Sequence, residues 1–345
     1  MSAKPLESSR GYDWTAVALS FWFLGGLVLD GWAHNHIREL ESFFTPWHAV
    51  FYSGFLAIAG FLIATLVRNR AKGYPWRTAM PSGYELALLG VLIFMAGGVG
   101  DMIWHELFGI EVNVEALLSP THLTLALGMT LIVSGPWRAG WRRLPGEGEY
   151  APGWAGLLPA LLSVTLLLSL WTFMTQFAHP LVEPWAAAGF RPRSQNFPYI
   201  RQSLGIVSIL LQTGLLMGLV LLTAMRWRLP SGSLLLMFTL NALLMSFMQD
   251  HYRFIPAAAL AGLGADLLMR RLKPSRERSG ALRLFAFTVP VLYYVCYFVV
   301  MMLTQGIGWS VHLWTGSIVL AGVIGLLLSY LIIPPLTSRA FSVRM

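Results

Sequence analysis

Cysteine and charge are both scarce in this chain of 345 residues. The single cysteine, Cys296, excludes a disulfide framework and any CxxC metal or redox motif. Only 12% of the residues are charged and 56% are hydrophobic, and the mean hydropathy of +0.62 excludes an ordinary soluble domain of this size. Lipid is therefore the expected solvent, and any metal site must be built from histidine and carboxylate side chains.

Apolar runs recur along the chain at about the length that a helix needs to cross a bilayer. They predict helices, because an open sheet edge in lipid leaves backbone groups unpaired. The predicted fold is all-α, a polytopic integral membrane bundle of about ten transmembrane helices built from outward-facing helical hairpins. The predicted spans are 14–32, 47–67, 85–105, 120–137, 156–177, 204–225, 233–248, 255–269, 284–303 and 311–333.

Lysine and arginine gather on one side of this predicted bundle. The termini and the loops after even-numbered spans hold 19 of the 24 Lys and Arg residues, so the positive-inside rule puts both termini in the cytoplasm. This topology accounts for the net charge of +8 without a nucleic-acid partner. The expected location is a bacterial inner (plasma) membrane. All eight histidines then fall on the outer, periplasmic side: His34, His36, His48, His105, His122, His179, His251 and His312.

The first and third spans form an internal repeat. An offset of 71 residues places Asp30 on Asp101 and His34 on His105, so both spans end in Asp-x3-His. This spacing puts carboxylate and imidazole on one helix face, one turn apart, where they can share a metal ion or hydrogen-bond each other.

A matched helix start follows each pair, at residues 45–48 and 119–122. Thr45 and Ser119 are predicted N-caps, each followed by proline at the first helical position. His48 and His122 then lie in the first turn, where the positive end of the helix dipole favours the neutral imidazole that a metal requires.

Six residues are therefore predicted to bind metal, in two sites or in one shared site: Asp30, His34, His48, Asp101, His105 and His122. Copper and zinc accept two imidazoles and a carboxylate, whereas magnesium and calcium prefer oxygen ligands. In the competing interpretation the aspartates only fix helix ends by hydrogen bonding the histidines. Repetition of the whole pattern favours a metal, because ionisable groups in membrane helices are costly without a function.

The first hairpin resembles the C subunit of the copper membrane monooxygenases, the particulate methane and ammonia monooxygenases. The similarity lies in Asp30–His34, in Phe44–His48 and in the aromatic segment Phe51–Ser53, and it extends over about 14–137. The second hairpin is similar to that family's second His/His site, where the family commonly has Asn in place of Asp101.

The resemblance implies copper ligands on the periplasmic side, at Asp30, His34 and His48 and again at Asp101, His105 and His122. Copper is thus the expected metal, with zinc as the alternative. The sequence divides into a four-helix segment with the hairpins, 1–143, and a six-helix segment, 144–345, that shows no match to the family. No catalytic residue is assigned.

Several other polar residues remain as secondary candidates. His36, His251 and His312 are reserve ligands, and His179 is expected at the membrane interface. Acidic side chains in the two outer loops either attract cations or form ordinary solvated surface: Glu39, Glu41, Glu106, Glu111 and Glu115.

Three functions remain open on the sequence. The first is a copper-dependent oxidoreductase, or a subunit of one, that oxidises a small apolar substrate at the periplasmic face, together with other membrane subunits or as a homo-oligomer. The second is a non-catalytic protein for copper or zinc uptake, storage or delivery. The third is a proton-coupled transporter that uses Asp30 and Asp101.

Overall fold

A computed structural model describes residues 6–37, 45–109, 111, 114–143, 153–190 and 198–334. These residues form twelve α-helices: α1 Arg10–His36, α2 Pro46–Ala71, α3 Glu85–Phe108, α4 Glu115–Leu118, α5 Pro120–Val133, α6 Gly135–Arg143, α7 Trp154–Met174, α8 Pro198–Arg226, α9 Ser233–Phe247, α10 Ile255–Leu272, α11 Ser279–Thr304 and α12 Val311–Ile332.

The prediction of an all-α membrane bundle is confirmed. Within the described residues, eight helices are long and apolar enough to cross a membrane, namely α1, α2, α3, α7, α8, α10, α11 and α12. The fourth predicted span, 120–137, was wrong as a single helix, because α5 ends at Val133 and α6 begins at Gly135. Pro136 lacks a backbone N–H and cannot continue the hydrogen-bond ladder of α5.

Two compact units divide the described residues. The first lies within Met1–Phe177 and Leu243–Tyr252, and the second lies within Ala178–Ala242 and Arg253–Met345. This division follows spatial contacts, whereas the boundary between residues 143 and 144 follows motif content and stays a prediction.

In the first unit, α1 and α3 run in the same direction and in register with the 71-residue repeat. Near their beginnings the Tyr84 hydroxyl donates to Asp13 Oδ1 at 2.8 Å. Further along, the Phe23 and Phe94 rings meet edge to face with centroids 4.9 Å apart. Both pairs are separated by 71 residues, as Asp30 and Asp101 are. The two Asp-x3-His ends therefore lie at the same end of the unit.

Helices α1 and α2 approach closely at two glycines. A Cβ on Gly26 would come within 2.6 Å of the Phe51 Cα, and a Cβ on Gly54 would come within 2.7 Å of the Phe23 Cα. Small residues at such crossings let backbones touch, which is how membrane helices associate without a hydrophobic driving force. This contact places the end of α1 beside the start of α2.

In the second unit, α11 packs against α10, α12 and α8. Asp266 of α10 is buried and accepts a hydrogen bond at 2.9 Å from the backbone N of Leu235, in the first turn of α9. The carboxylate thus satisfies a donor that the helix leaves unpaired.

His179, before α8, is buried within the protein. Its Nδ1 accepts a hydrogen bond from the Leu181 backbone N at 3.1 Å, so that nitrogen carries no proton. Burial lowers the pKa of His179 from 6.5 to about 3. The ring is therefore neutral at physiological pH.

The substitution Gly54→Ala should lower the free energy of unfolding by about 1–3 kcal/mol, because the new methyl group meets backbone that cannot move aside. Thermal unfolding of the purified protein in detergent measures the effect. Gly60→Ala in the same helix is the matched control, since a Cβ there meets nothing within 4 Å. Equal unfolding temperatures for Gly54→Ala and Gly60→Ala would contradict the close approach of α1 and α2 at Gly54.

His179 should make stability depend on pH below 6.5. A group whose folded pKa is depressed stabilises the protein above its unfolded pKa, and this contribution is lost as pH falls from 6.5 toward about 3. The expected slope is up to about 1.4 kcal/mol per pH unit, measured as the difference in stability between wild type and His179→Asn, which keeps an acceptor without titrating. His312→Asn, at an exposed position, should leave the slope unchanged.

Candidate metal centre

The first cluster, called the Asp30 triad, consists of Asp30, His34 and His48. Asp30 and His34 end α1, and His48 lies in the first turn of α2, where its backbone N donates to the side chain of Thr45 at 3.1 Å. Asp30 Oδ2 lies 3.8 Å from His34 Nε2, and Asp30 Oδ1 lies 3.2 Å from His48 Nδ1. The helix end and the capped helix start thus bring the three side chains together.

The second cluster, called the Asp101 triad, consists of Asp101, His105 and His122 at the end of α3 and the start of α5. Ser119 caps α5 by accepting from the His122 backbone N at 3.3 Å. Asp101 Oδ2 lies 3.4 Å from His105 Nε2, and Asp101 Oδ1 lies 3.5 Å from His122 Nε2. The structure therefore repeats the ligand set of the first triad, although His122 faces its aspartate through Nε2 and His48 faces Asp30 through Nδ1.

Both triads have the spacing of ligands around one ion. In each, the three ligand atoms lie within 4.8 Å of one another. Atoms bound to a single zinc or copper ion at about 2.0–2.2 Å in tetrahedral geometry lie roughly 3.3–3.6 Å apart. The carboxylate–imidazole separations of 3.2–3.8 Å match that spacing.

The carboxylate of the Asp30 triad has an unsatisfied oxygen. Asp30 is 7% exposed, and its Oδ1 is buried without a hydrogen bond from any residue that the structure describes. The approach of His48 Nδ1 does not satisfy it, because the geometry is not that of a hydrogen bond. A buried acceptor without a donor costs about 1–3 kcal/mol, and more when it is charged, so the donor set fits a cation at this point.

An aromatic cluster lies on the interior side of the triads. The Phe94 ring is 5.7 Å from Phe51 and 4.4 Å from Phe55. Tyr52 stacks on the His48 ring at 6.3 Å, and a Cβ on Gly98 would come within 3.5 Å of its ring. These rings line the interior side with apolar surface, which lowers the local dielectric and strengthens any metal bonds.

The reserve histidines belong to neither triad. His36 Nδ1 lies 2.8 Å from the Trp32 carbonyl oxygen, and its Nε2 lies 3.1 Å from Asp250 Oδ2. Both ring nitrogens thus have partners at the junction of α1 with residues after α9. His251 follows Asp250, and its backbone N donates to the Ser246 carbonyl. His312 is exposed in the first turn of α12, in the second unit.

Two polar neighbours of the Asp101 triad were missed as functional residues by sequence reasoning. The Thr121 hydroxyl donates to Asp101 Oδ1 at 2.7 Å, and Glu111 Oε2 lies 3.0 Å from His105 Nδ1. Thr121 looked like one residue of a helix start, and Glu111 looked like one of several loop acids. Glu39 and Glu41 lie outside the described residues.

Comparison of the chain with protein-family models, with curated proteins and with solved structures gives no match. The function is therefore argued from the triads, from their surroundings and from the sequence resemblance. The geometry supports one chemical capacity above others, namely binding of a cation by two imidazoles and a carboxylate in each hairpin.

Proposed function

We propose that the chain is an integral membrane protein that binds copper in both the Asp30 triad and the Asp101 triad. The observation that carries the proposal is the convergence of one carboxylate and two imidazoles in each of two repeated hairpins, with ligand atoms within 4.8 Å of one another. Asp30 Oδ1, buried without a hydrogen bond, is the atom with most need of a cation.

The choice of copper rests on ligand chemistry. Imidazole and carboxylate together suit borderline divalent ions, and copper binds such sites more tightly than zinc does. The copper membrane monooxygenase resemblance of the segments Asp30–His34 and Phe44–His48 favours the same metal. Zinc is the alternative, because it accepts the same ligands.

The proposed sites face the periplasm. Both triads lie at the end of the first unit where α1 and α3 finish, and the positive-inside rule assigns that end to the outer side. Arg142 and Arg143 end α6, and Arg143 contacts Asp13 at 2.5 Å near the start of α1, at the opposite end. The proposed membrane is the bacterial inner membrane, with both termini in the cytoplasm.

We infer from the resemblance that the copper sites serve the oxidation of a small apolar substrate dissolved in the membrane. Copper, when bound, supplies the redox and oxygen chemistry that side chains alone cannot supply. The histidines and aspartates hold and orient it, and the aromatic cluster around Phe51, Phe55 and Phe94 keeps water from the interior side. An electron donor and other membrane subunits, or further copies of the chain, are proposed partners.

Copper content tests the binding proposal. The purified protein, equilibrated with a known concentration of free Cu(II), should hold two ions per chain, one for each triad. Asp30→Ala and His48→Ala should each lower the content by one ion, because each removes a ligand of one triad. Elemental analysis gives the metal-to-protein ratio, and competition with equimolar zinc identifies the preferred ion.

His312→Ala is the matched control, since it removes a histidine from the first turn of α12 outside both triads. It should retain both ions. Full copper in His48→Ala, at an unchanged unfolding temperature, would contradict the Asp30 triad as a site. Proton-coupled transport by a wild type that holds no metal would support the transporter instead.

Oxygen uptake separates an oxidase role from storage or delivery. Membranes that contain the copper-loaded protein should consume oxygen when a reductant and a short alkane are both present, and Asp30→Ala and Asp101→Ala membranes should not. The comparison uses equal protein amounts and the His312→Ala control. Copper binding without substrate-dependent oxygen consumption would favour a non-catalytic role in copper storage or delivery.

A further inference from the structure

The two triads contain the same types of ligand, one aspartate and two histidines each, but the residues around them differ. In the Asp101 triad every ligand has a second polar contact: Thr121 Oγ1 lies 2.7 Å from Asp101 Oδ1, Ser119 Oγ lies 2.7 Å from His122 Nδ1, and Glu111 Oε2 lies 3.0 Å from His105 Nδ1. Such outer contacts orient ligands and raise metal affinity.

The Asp30 triad is supported less. Thr45 Oγ1 lies 2.9 Å from His48 Nδ1, the same nitrogen that faces Asp30, whereas Ser119 Oγ contacts His122 Nδ1 and leaves Nε2 to face Asp101. The position equivalent to Thr121 holds Trp47, however, and no described residue donates a hydrogen bond to Asp30 Oδ1. The side chain of His34 is 44% exposed, whereas that of His105 is 12% exposed. The first triad is thus the more open of the two.

Glu111 accounts for much of this difference. Its side chain is 11% exposed, and both carboxylate oxygens are buried without a hydrogen bond of good geometry to the described part of the chain. The near contact with His105 Nδ1 is the one ion pair that Glu111 makes among the described residues. A buried carboxylate needs a nearby donor or positive charge, since its desolvation otherwise costs several kcal/mol.

The surroundings of His105 Nδ1 also favour one state of the ring, because Glu111 Oε2 lies 3.0 Å and the Gly109 carbonyl oxygen 3.4 Å from this nitrogen. A carboxylate beside Nδ1 favours the tautomer that has its proton on Nδ1. The lone pair of Nε2 then points toward Asp101 Oδ2, 3.4 Å away, on the side where the ion would bind. Carboxylate, histidine and metal in this order form an arrangement that raises the basicity of the ligand nitrogen.

We propose that Glu111 is a positioning residue for His105, and that it makes the Asp101 triad the tight site while the Asp30 triad is the weaker, exchangeable site. The inference rests on the proposed copper binding and gives the two hairpins different roles. The Asp101 triad, with two carboxylates nearby, holds a resident ion. The Asp30 triad, with its exposed His34, exchanges its ion or accepts an outside ligand.

Copper titration of the full-length protein in detergent, against a competing chelator, tests the inference. Wild type should show a tight and a weak class of one ion each. Glu111→Gln, which removes the charge and keeps the side-chain size, should weaken the tight class by about 10–100-fold and leave the weak class unchanged. The electron paramagnetic resonance spectrum of the tight Cu(II) ion should also shift. Glu111→Asp, which keeps the carboxylate, should recover part of the affinity.

Glu106→Gln is the matched control, because it removes the same charge from an exposed residue next to His105. It should leave both classes unchanged. If Glu111→Gln does not fold, variants of one triad at a time show which triad is the tight site. Asp101→Ala should abolish the tight class, and Asp30→Ala should abolish the weak class.

The two proposals fail in different ways. A wild type that binds no copper overturns the proposed function. A wild type that binds two ions supports copper binding. The inference about Glu111 is overturned if Glu111→Gln leaves the affinity of the tight class unchanged, or if Asp30→Ala abolishes the tight class.

Discussion

Two carboxylates, Asp30 and Asp101, are withdrawn from water at the ends of apolar helices, and the rest of the site is arranged around that burial. Removing a carboxylate from water costs several kcal/mol unless positive charge and hydrogen bonds compensate. Thr121 supplies a donor to Asp101, but among the described residues Asp30 Oδ1 has none. A divalent ion between carboxylate and imidazoles would compensate both, which is why we propose that the triads are metal sites.

Helix packing far from the triads holds this arrangement in place. The Asp13–Tyr84 hydrogen bond and the Phe23–Phe94 contact keep α1 and α3 parallel and in register. Gly26 lets α2 lie against α1, so His48 reaches Asp30. A shift of α2 along α1 by one helical turn, about 5.4 Å, would separate His48 Nδ1 from Asp30 Oδ1, which now lie 3.2 Å apart.

Local patterns predicted the triads well. The i,i+4 spacing and the N-caps Thr45 and Ser119 depend on neighbours in sequence, and the structure has both caps. The break of the fourth span near Pro136 also depends on local sequence, but the apolar composition of 120–137 favoured one continuous helix in the prediction. The contacts of Glu111 and His36 could not be predicted in the same way, because they form only when the chain folds. Glu111 was one of several acidic residues in the outer loops. Asp250, the partner of His36, lies 214 residues away in sequence.

The sequence by itself determined the lipid solvent, the helices and the two-fold repeat of Asp-x3-His with a capped histidine. These follow from composition and from contacts within one helical turn, which need no knowledge of the fold. Only the tertiary structure decided that α1 and α3 pack in parallel register and that the two triads have unequal surroundings. Those features depend on side chains from separate helices meeting in space, and hydrophobic periodicity does not specify which ones meet.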